Sequence, residues 1–532
     1  MKILVCDPVS SKGIALLQQR PEFEVVVLPK RLTEAELLPV VTDAVAMVVR
    51  SETKVTRKVI EAAAKLRVVG RAGVGVDNVD VEAATQRGVV VMNTPGGNTV
   101  STAELSFAML LNLARKVPQA HGSMAAGKWD RKQYQGTELC GKTLGVLGLG
   151  RIGSEVAKRA LAFGMRVIGY DPFQSEARAA TMGIELRGDL DEIYRDADFI
   201  TVHMPVTEQT RGMLNAAAFA KMKPKVCVVN CARGEIIVEN DLLAALDSGK
   251  IAAVAMDVFA VEPLPAEHAY RKHPAITLTP HLGASTHEAQ EKCGIEVAEV
   301  IAGYLLTGEV RNAVNLPYLD AKTYEEVKPY LTLGEKLGRF LGQVAPPQVD
   351  RLHITFGGKA QELPNIDPVT RAILLGYLSY ASVKEINNVN VRSIASTLGL
   401  TVEEKRSNEP VTFNEWVHVQ AFRNGDKVAS AGGTFFGSPD NPRIVRVQSQ
   451  PTEIVPFGVV LLLRNADRPG MVGYLGTLLG RHKVNIASMS LSRDTAGGQA
   501  LTVLNLDSVP PREVLDEIQK DPDISNVEVV KL

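Results

Sequence analysis

The stretch of the chain that decides the fold is Gly148-Leu149-Gly150-Arg151-Ile152-Gly153. An apolar run typical of a buried strand, Thr143 to Leu147, precedes it, and a helical run, Ser154 to Phe163, follows it. Glycines at these positions permit a tight turn and let the backbone approach a pyrophosphate at the N-terminus of the helix. The spacing therefore predicts a strand–turn–helix unit that binds a dinucleotide.

A carboxylate after the next strand candidate, Met165 to Tyr170, indicates which dinucleotide this is. Asp171 lies about 20 residues beyond the glycines, where an acid hydrogen-bonds the ribose hydroxyls of NAD and repels the 2′-phosphate of NADP. The alternative is a glycine-rich turn that binds no ligand. The strand, the helix and the acid together favour an NAD site.

The composition limits the size and the partners of the protein. A chain of 532 residues, 45% hydrophobic and 22% charged, predicts three or four ordinary globular domains. With 59 basic and 60 acidic residues the net charge is −1, so we expect neither nucleic acid nor an anionic membrane as a partner. Small anionic substrates are still allowed, because they need only a local basic pocket.

The cysteines and the apolar runs predict where the protein resides. Five cysteines are scattered along the chain without a CxxC pair, which favours a reducing, cytoplasmic compartment and argues against a metal site. The N-terminal apolar run is interrupted by Asp7 and Pro8 and is too short for a signal peptide. No stretch approaches the ~20 apolar residues that a membrane span needs.

Residues 1–315 alternate short β-branched runs with amphipathic helical runs. Such alternation predicts an α/β architecture with parallel sheets that carry helices on both faces. The runs are too numerous for one sheet, so we expect two doubly wound domains connected by a helical run, Ala103–Leu113. The predicted limits are 1–98 with 282–315 for a discontinuous first domain, and 99–281 for a Rossmann-type second domain.

Two smaller domains are expected beyond residue 315. Residues 316–452 mix helical runs with long strand-like runs and predict an intervening α+β domain. Residues 455–532 follow the order strand, helix, strand, strand, helix, strand, which is the ferredoxin-like split unit. Pro469 suits the first position of the first of these helices.

Three charged side chains follow successive strand candidates in the second domain. Arg233 comes after one strand, Glu262 after the next, and His281 after a third. Because ligands bind outside the carboxyl ends of strands in an open α/β sheet, the three can converge beside the cofactor. Taken singly, each has an ordinary alternative as a surface charge or a structural histidine.

The three residue types suit hydride transfer from a secondary alcohol to NAD. Histidine can take the hydroxyl proton near neutral pH, and a carboxylate beside it holds the ring and favours the imidazolium that forms. Arginine can bind a substrate carboxylate through two hydrogen bonds and polarise the neighbouring carbonyl. The trio therefore predicts catalysis by Arg233, Glu262 and His281, with no metal.

Several motifs together resemble the D-isomer-specific 2-hydroxyacid dehydrogenases over nearly the whole chain. The matching segments are Arg71–Asn78, Asn93–Pro95, Gly136–Leu139, Gly148–Gly153, Asn230–Gly234 and His281–Thr286. The resemblance is strongest to long members that oxidise 3-phospho-D-glycerate to 3-phosphohydroxypyruvate at the start of serine synthesis. It implies an NAD-dependent enzyme with a phosphorylated substrate.

The resemblance also implies a role for individual residues. Those implied to bind the cofactor are Val74, Gly148, Gly150, Arg151, Ile152, Gly153, Asp171, Met204, Cys231, Ala232, Arg233, Asp257, His281, Gly283 and Ala284. Those implied to bind the substrate are Arg50, Ser51, Gly73, Val74, Asn98, Arg233 and His281. A basic run, Lys128 to Lys132, is a second candidate for the phosphate, from a neighbouring subunit.

The last unit resembles an ACT domain, a module that binds amino acids. The resemblance implies serine as an effector, bound by Asp467 and Asn485 across subunits, and a homo-oligomer that is a dimer or a tetramer. A unit that only oligomerises is the alternative. The intervening domain resembles the allosteric substrate-binding domain of the longest family members.

Two other functions remain open at this point. One is a reductase of hydroxypyruvate, glyoxylate or another 2-oxo acid, although such relatives usually end near residue 320 of a chain like this one. The other is a non-enzymatic NAD-sensing scaffold of the corepressor type, which keeps the same trio. The two C-terminal units argue against both alternatives.

Overall fold

A computed structural model describes residues 1–317, 319, 321–380, 386–409 and 415–532, and the strands in these ranges form four sheets. The first sheet is parallel, with the order β2-β1-β3-β4-β5. Its strands are β1 (Lys2–Val5), β2 (Glu24–Val27), β3 (Ala46–Val49), β4 (Val68–Arg71) and β5 (Val90–Met92). Its helices are α1 (Ser11–Gln18), α2 (Glu34–Leu37), α3 (Arg57–Ala62) and α4 (Val81–Gln86).

Two helices lead into the second sheet, α5 (Thr99–Arg115) and α6 (Val117–Ala125). The predicted connecting helix, Ala103–Leu113, lies where α5 is found, but the prediction was too short, because α5 runs from Thr99 to Arg115. The second sheet is also parallel, with the order β12-β11-β10-β9-β6-β7-β8. Its strands are β6 (Thr143–Leu147), β7 (Arg166–Tyr170), β8 (Glu185–Leu186), β9 (Phe199–Val202), β10 (Val226–Asn230), β11 (Ile251–Met256) and β12 (Ile276–Leu278).

The helices between these strands are α7 (Arg151–Ala162), α8 (Glu176–Thr181), α9 (Leu190–Asp196), α10 (Ala216–Lys221) and α11 (Glu239–Asp247). From β6 the sheet grows in one direction through β7 and β8 and in the other through β9 to β12, so the strand order reverses between β6 and β9. Connections that leave in opposite directions at such a point leave a crevice at the carboxyl ends of the strands. The two predicted doubly wound parallel sheets are confirmed. The glycine loop lies at the reversal point, directly after β6.

The chain returns to the first sheet through α12 (His287–Thr307). Buried side chains of this helix, among them Cys293, Val297 and Ile301, pack into the same core as Ile3 and Val68. Asn315 then closes the edge of β5, because its side chain accepts from Val91 N and donates to Val89 O, both at 2.9 Å. These contacts support the predicted discontinuous first domain, whose limits stay a prediction.

The third sheet is mixed, with the order β14-β13-β15-β16-β17-β18, and only β13 and β14 pair in parallel. Its strands are β13 (Arg351–Gly358), β14 (Thr401–Ser407), β15 (Glu415–Arg423), β16 (Asp426–Phe435), β17 (Pro442–Val447) and β18 (Gln450–Ile454). The helices that accompany it are α13 (Ala321–Val344), α14 (Asp367–Leu378) and α15 (Val391–Thr397). This arrangement confirms the predicted α+β architecture.

The fourth sheet is antiparallel, with the order β20-β21-β19-β22. Its elements are β19 (Val459–Ala466), α16 (Met471–Arg481), β20 (Ile486–Arg493), β21 (Gln499–Leu506), α17 (Arg512–Lys520) and β22 (Ile524–Lys531). The ferredoxin-like order is confirmed. The prediction for Pro469 is wrong, since Gly470 at φ +91° is the N-cap and the helix begins at Met471.

The two C-terminal units share one core. Leu462, Val503 and Val530 of the fourth sheet lie in the same buried cluster as Phe340 and Leu341 of α13, while the opposite face of the sheet packs on α16 and α17. The third-sheet unit also contacts the first domain, because Val389 is buried in its core and Asn387 Nδ2 donates to Gly88 O at 2.9 Å. The fourth-sheet unit is therefore packed on the third-sheet unit, which in turn contacts the first domain.

Candidate active site

The glycine loop brings the N-terminus of α7 against the end of β6. Gly148 has φ +94°, and a Cβ on Gly153 would lie 1.9 Å from Gly148 O, so only glycine permits this close approach. The N-cap residue is Gly150, which has no side chain to satisfy the first N–H groups of the helix. Uncapped N–H groups at a helix N-terminus form a site for a phosphate group.

Asp171 connects this loop to the end of β7. One carboxylate oxygen accepts from Leu149 N at 2.8 Å, and the other accepts from Phe173 N at 2.9 Å. The carboxylate therefore lies beside the glycine loop, as its predicted ribose role requires, and it also fixes the shape of the loop. The ribose contact itself stays a prediction.

His281 and Glu262 form a hydrogen-bonded pair at the carboxyl end of the second sheet. His281 Nδ1 lies 2.7 Å from Glu262 Oε2, and Glu262 Oε1 accepts from Phe259 N at 3.0 Å. Burial acts to raise the pKa of Glu262, but the hydrogen bond and charge of His281, with the Phe259 N–H and Arg233, lower it below its usual value. Glu262 is thus held as a carboxylate that orients the ring and leaves Nε2 for a substrate.

A buried carboxylate, Asp257, shapes the turn that carries His281. Its oxygens accept from the Thr279 hydroxyl at 2.5 Å, from Leu282 N at 2.7 Å and from Gly283 N at 2.9 Å. Burial raises the pKa of Asp257 above its usual value, although these hydrogen bonds oppose that shift. His281 itself has φ +55°, an unusual conformation for a side chain of this size, and the bonds to Asp257 hold it there.

Arg233 follows β10 and reaches across to the first domain. Asn230 holds the turn, because its side chain donates to Arg233 O at 2.9 Å and accepts from Ala232 N at 3.0 Å. The Arg233 guanidinium then contacts the carboxylate of Asp77, with Nη2 at 2.9 Å from Oδ2. The predicted carboxylate-binding arginine therefore lies in the cleft between the first and second sheets.

A cavity of about 440 Å³ occupies that cleft. Predicted cofactor residues that line it are Val74, Ile152, Met204, Cys231, Ala232, Arg233, Asp257, His281, Gly283 and Ala284. Asn98, predicted for the substrate, lines it as well. The other predicted cofactor residues lie at the glycine loop and the end of β7: Gly148, Gly150, Arg151, Gly153 and Asp171.

A second cavity of about 800 Å³ adjoins the first, and His281 and Ala284 line both. Arg50, Ser51 and Glu262 line this second cavity. Its other basic residues are Arg31, Lys54, Arg71 and Arg271. His281 thus lies where the first cavity meets one that is lined by five basic side chains and two acidic ones, Glu52 and Glu262.

Arg71 is the functional candidate that sequence reasoning missed. It lines both cavities, and its Nε is buried without a hydrogen-bond partner among the described residues. Burial and the nearby charge of Arg233 lower its pKa to about 10, opposed by Asp77. Gly73, predicted for the substrate, lies against it, since a Cβ there would be 1.6 Å from Arg71 Nη1. The only signal was its place at the start of the motif Arg71–Asn78.

Neither His203 nor the basic run Lys128–Lys132 is a candidate for proton transfer or phosphate binding within this chain. His203 lines the first cavity, but burial lowers its pKa to about 3, and its Nε2 lies 2.9 Å from the Thr201 hydroxyl. The basic run Lys128–Lys132 follows α6 at the surface, with Trp129 at 74% exposure, and lines neither cavity.

The predicted effector residues lie at opposite ends of the fourth sheet. Asp467 accepts from Arg493 Nη1 at 2.9 Å and from Gly497 N at 3.0 Å, while Asn485 Nδ2 donates to Asp507 at 2.8 Å. β21 runs between these two ends, a length of roughly 20 Å at the usual rise per residue. One small amino acid could contact both side chains only if they came from two copies of the chain.

The described residues contain neither a helix that is long and apolar enough to cross a membrane nor a group of three or more potential metal ligands.

Comparison with protein families finds three matches along the chain. Residues 107–283 match the D-isomer specific 2-hydroxyacid dehydrogenase, NAD binding domain. Residues 326–448 match the D-3-phosphoglycerate dehydrogenase intervening domain, and residues 459–523 match the ACT domain. The three matches cover the second sheet, the third sheet except β18, and the fourth sheet except β22.

Comparison with curated proteins finds relatives over the full length. The D-3-phosphoglycerate dehydrogenase of Methanocaldococcus jannaschii is 42% identical, with 100% of each chain covered. That of Bacillus subtilis is 38% identical, with 100% of this chain and 99% of the relative covered.

Solved structures resemble the first two domains. An NAD⁺-bound 3-phosphoglycerate dehydrogenase from Entamoeba histolytica has a TM-score of 0.51 at 29% identity, covering 60% of this chain and 99% of the other. A glyoxylate reductase from Paecilomyes thermophila has a TM-score of 0.54 at 29% identity, covering 59% and 98%.

The fold, the cleft and these matches define an NAD-dependent oxidoreductase of the D-isomer-specific 2-hydroxyacid dehydrogenase class. Within that class the chain belongs to the D-3-phosphoglycerate dehydrogenase family. The non-enzymatic scaffold considered from the sequence is set aside, because the full-length relatives are enzymes.

The Glu262 carboxylate yields a test of the catalytic pair. We expect Glu262→Gln to lower kcat by a factor on the order of 10² or more, because the ring loses both its orientation and the charge that favours the imidazolium. Initial rates of NADH oxidation with the best 2-oxo acid substrate measure this. Glu267→Gln, a control at a highly exposed residue, should retain activity, and an active Glu262→Gln enzyme would remove Glu262 from the mechanism.

Proposed function

We propose that the protein oxidises 3-phospho-D-glycerate to 3-phosphohydroxypyruvate with NAD⁺, the first step of phosphorylated serine synthesis. The observation that carries the proposal is the cationic cavity beside His281, lined by Arg31, Arg50, Lys54, Arg71 and Arg271. A phosphate group carries more than one negative charge at neutral pH, and clustered arginines suit it. The names of the full-length relatives agree with this substrate.

The residues of the cleft fit NAD. The uncapped N-terminus of α7 would hold the pyrophosphate, Asp171 the adenosine ribose, and the walls around Met204, Cys231 and Ala232 the nicotinamide end. When bound, NAD⁺ supplies the acceptor for the hydride that leaves C2 of the substrate.

The geometry of the cleft supports a role for each of the chain's own groups. Arg233 would hold the substrate carboxylate, and its charge favours the carbonyl that forms next to that carboxylate. His281 Nε2 would take the proton of the C2 hydroxyl during oxidation and return it during reduction, while Glu262 on Nδ1 stabilises the protonated ring. Arg50 and Ser51 would bind the phosphate at the other side of His281.

A glyoxylate- or hydroxypyruvate-type reductase is the alternative, favoured by the similarity of the first two domains to a glyoxylate reductase. Such substrates lack a phosphate, so they do not account for the five basic residues that line one cavity. The match to the intervening domain of D-3-phosphoglycerate dehydrogenase also supports the phosphorylated substrate.

A variant at Arg50 separates the two substrates. We expect Arg50→Ala to raise KM for 3-phosphohydroxypyruvate about 10- to 100-fold, the range for a lost hydrogen bond to a charged group, and to change KM for hydroxypyruvate less than about threefold. Initial rates of NADH oxidation give both values. Arg20→Ala, at an exposed arginine of the same domain, is the matched control. Equal effects on both acids would contradict the phosphate site.

We further propose that serine inhibits the enzyme by binding between two copies of the ACT unit in a homo-oligomer. Support comes from Asp467, a carboxylate of the type that pairs with an ammonium group; the Gly497 N–H and Arg493 lower its pKa below the usual value. The opposite placement of Asp467 and Asn485 agrees with a site shared by two chains.

A cytoplasmic location is also proposed, supported by five cysteines that form no disulfide.

The Asp467 carboxylate yields a test of the serine site. We expect Asp467→Ala to weaken serine inhibition at least tenfold, because the ammonium group loses its counter-ion, while kcat without serine stays within about twofold. Dose–response curves with L-serine measure this, with exposed Glu513→Gln in α17 as the control. Unchanged inhibition in Asp467→Ala, or no response of the wild-type enzyme, would contradict the proposal.

A further inference from the structure

All three nitrogens of the Arg233 guanidinium already have a partner in this structure, although Nη1 and Nη2 each carry two N–H groups. Nη2 and Nε both contact Oδ2 of Asp77, at 2.9 and 3.1 Å, and Nη1 donates to Ala232 O at 2.7 Å. A substrate carboxylate that binds side-on, through two parallel hydrogen bonds from Nε and Nη2, needs the same edge of the guanidinium that Asp77 occupies. It therefore cannot use the Nε/Nη2 edge of Arg233 until Asp77 has moved.

The loop that presents Asp77 is fixed on both sides of it. Asn78 Nδ2 donates to Arg50 O at 3.1 Å and to Thr53 O at 2.6 Å, and Asn93 Nδ2 donates to Val74 O at 2.6 Å. The Asp77 side chain is nevertheless 72% exposed, whereas that of Arg233 is 27% exposed. Only the side chain of Asp77 has to rotate into solvent to release Arg233.

The charges around Asp77 fit an exchange of one carboxylate for another. The charge of Arg233 lowers the pKa of Arg71, after burial, and the charge of Asp77 opposes that lowering. With Asp77 engaged, the two cations are partly neutralised, just as they would be by the carboxylate of a substrate. Both Arg71 and Asp77 line the cavity into which the substrate would enter.

We propose that Asp77 is an internal substitute for the substrate carboxylate, which occupies Arg233 in the ligand-free cleft and has to be displaced when a 2-oxo or 2-hydroxy acid binds. Asp77 thereby lowers the apparent affinity of the enzyme for its substrate. The inference rests on the proposed function in one respect only, the role of Arg233 as the carboxylate-binding residue. It holds for any 2-oxo acid, phosphorylated or not.

The size of the effect follows from the exposure of the pair. When the competent state is one of two populations, the apparent dissociation constant rises by the inverse of its fraction. An exposed ion pair is weak, so displacement of Asp77 costs little and the factor is about two to five. If Asp77 instead kept Arg233 directed toward the substrate, removal of the Asp77 carboxylate would weaken substrate binding and not strengthen it.

Asp77→Asn distinguishes these two roles. We expect KM for 3-phosphohydroxypyruvate to fall two- to fivefold and kcat to stay within about twofold. Oxamate, an unreactive analogue of a 2-oxo acid, should bind the enzyme–NADH complex more tightly by the same factor, measured by calorimetry. Asp77→Glu, which keeps the carboxylate, should bind oxamate within twofold of the wild type, and exposed Glu61→Gln in α3 is the charge-matched control.

Oxamate binding needs no turnover, so its result stands apart from the identity of the natural substrate. If the wild-type enzyme prefers an unphosphorylated acid, the proposed substrate is wrong and the same Asp77 comparison is made with that acid. Unchanged or weaker oxamate binding in Asp77→Asn, with NADH affinity and melting temperature as in the wild type, would overturn the exchange. Asp77→Ala, with the same expected result, serves if Asp77→Asn does not fold.

Discussion

The bonds of the buried Asp257 carboxylate are the interaction on which the rest of the site depends. This side chain is fully buried at the end of β11, and it accepts from the Thr279 hydroxyl and from the N–H groups of Leu282 and Gly283. A buried carboxylate without such donors would be costly, and the turn without the carboxylate would lose its shape. His281 meets Glu262 at the junction of the two cavities because this turn is held.

Much of the fold and of the site could be predicted, because both follow from local patterns. The glycine loop predicted β6, α7 and β7 to within a few residues, since its spacing is dictated by the approach of a helix to a strand. Arg233, Glu262 and His281 could be grouped because parallel strands end at one edge of their sheet. The structure confirms that convergence as a geometry, while the catalytic roles stay a proposal.

Features that depend on tertiary contacts could not be predicted. In the sequence, Arg71 is simply a charged residue at the end of a strand. Its guanidinium is buried because Gly73 and Arg233 lie close to it in the fold, and that contact cannot be read from the sequence. The shared core of the two C-terminal units was not predicted. The apolar runs of β19 and β21 indicate that both faces of the strands are buried, but they do not identify which element packs on each face. The start of α16 at Met471 was missed because Gly470 adopts a left-handed conformation there.

The most direct test of the account is the effect of His281→Ala on chemistry and on binding, measured on the same preparation. Stopped-flow oxidation of NADH with 3-phosphohydroxypyruvate gives the rate, and calorimetry gives the affinities for NADH and oxamate. The account predicts a rate lower by a factor on the order of 10² or more, with both ligands still bound, since Arg233 and the glycine loop are unchanged. A variant that keeps most of its rate would contradict the assignment of the cleft as the site of proton transfer.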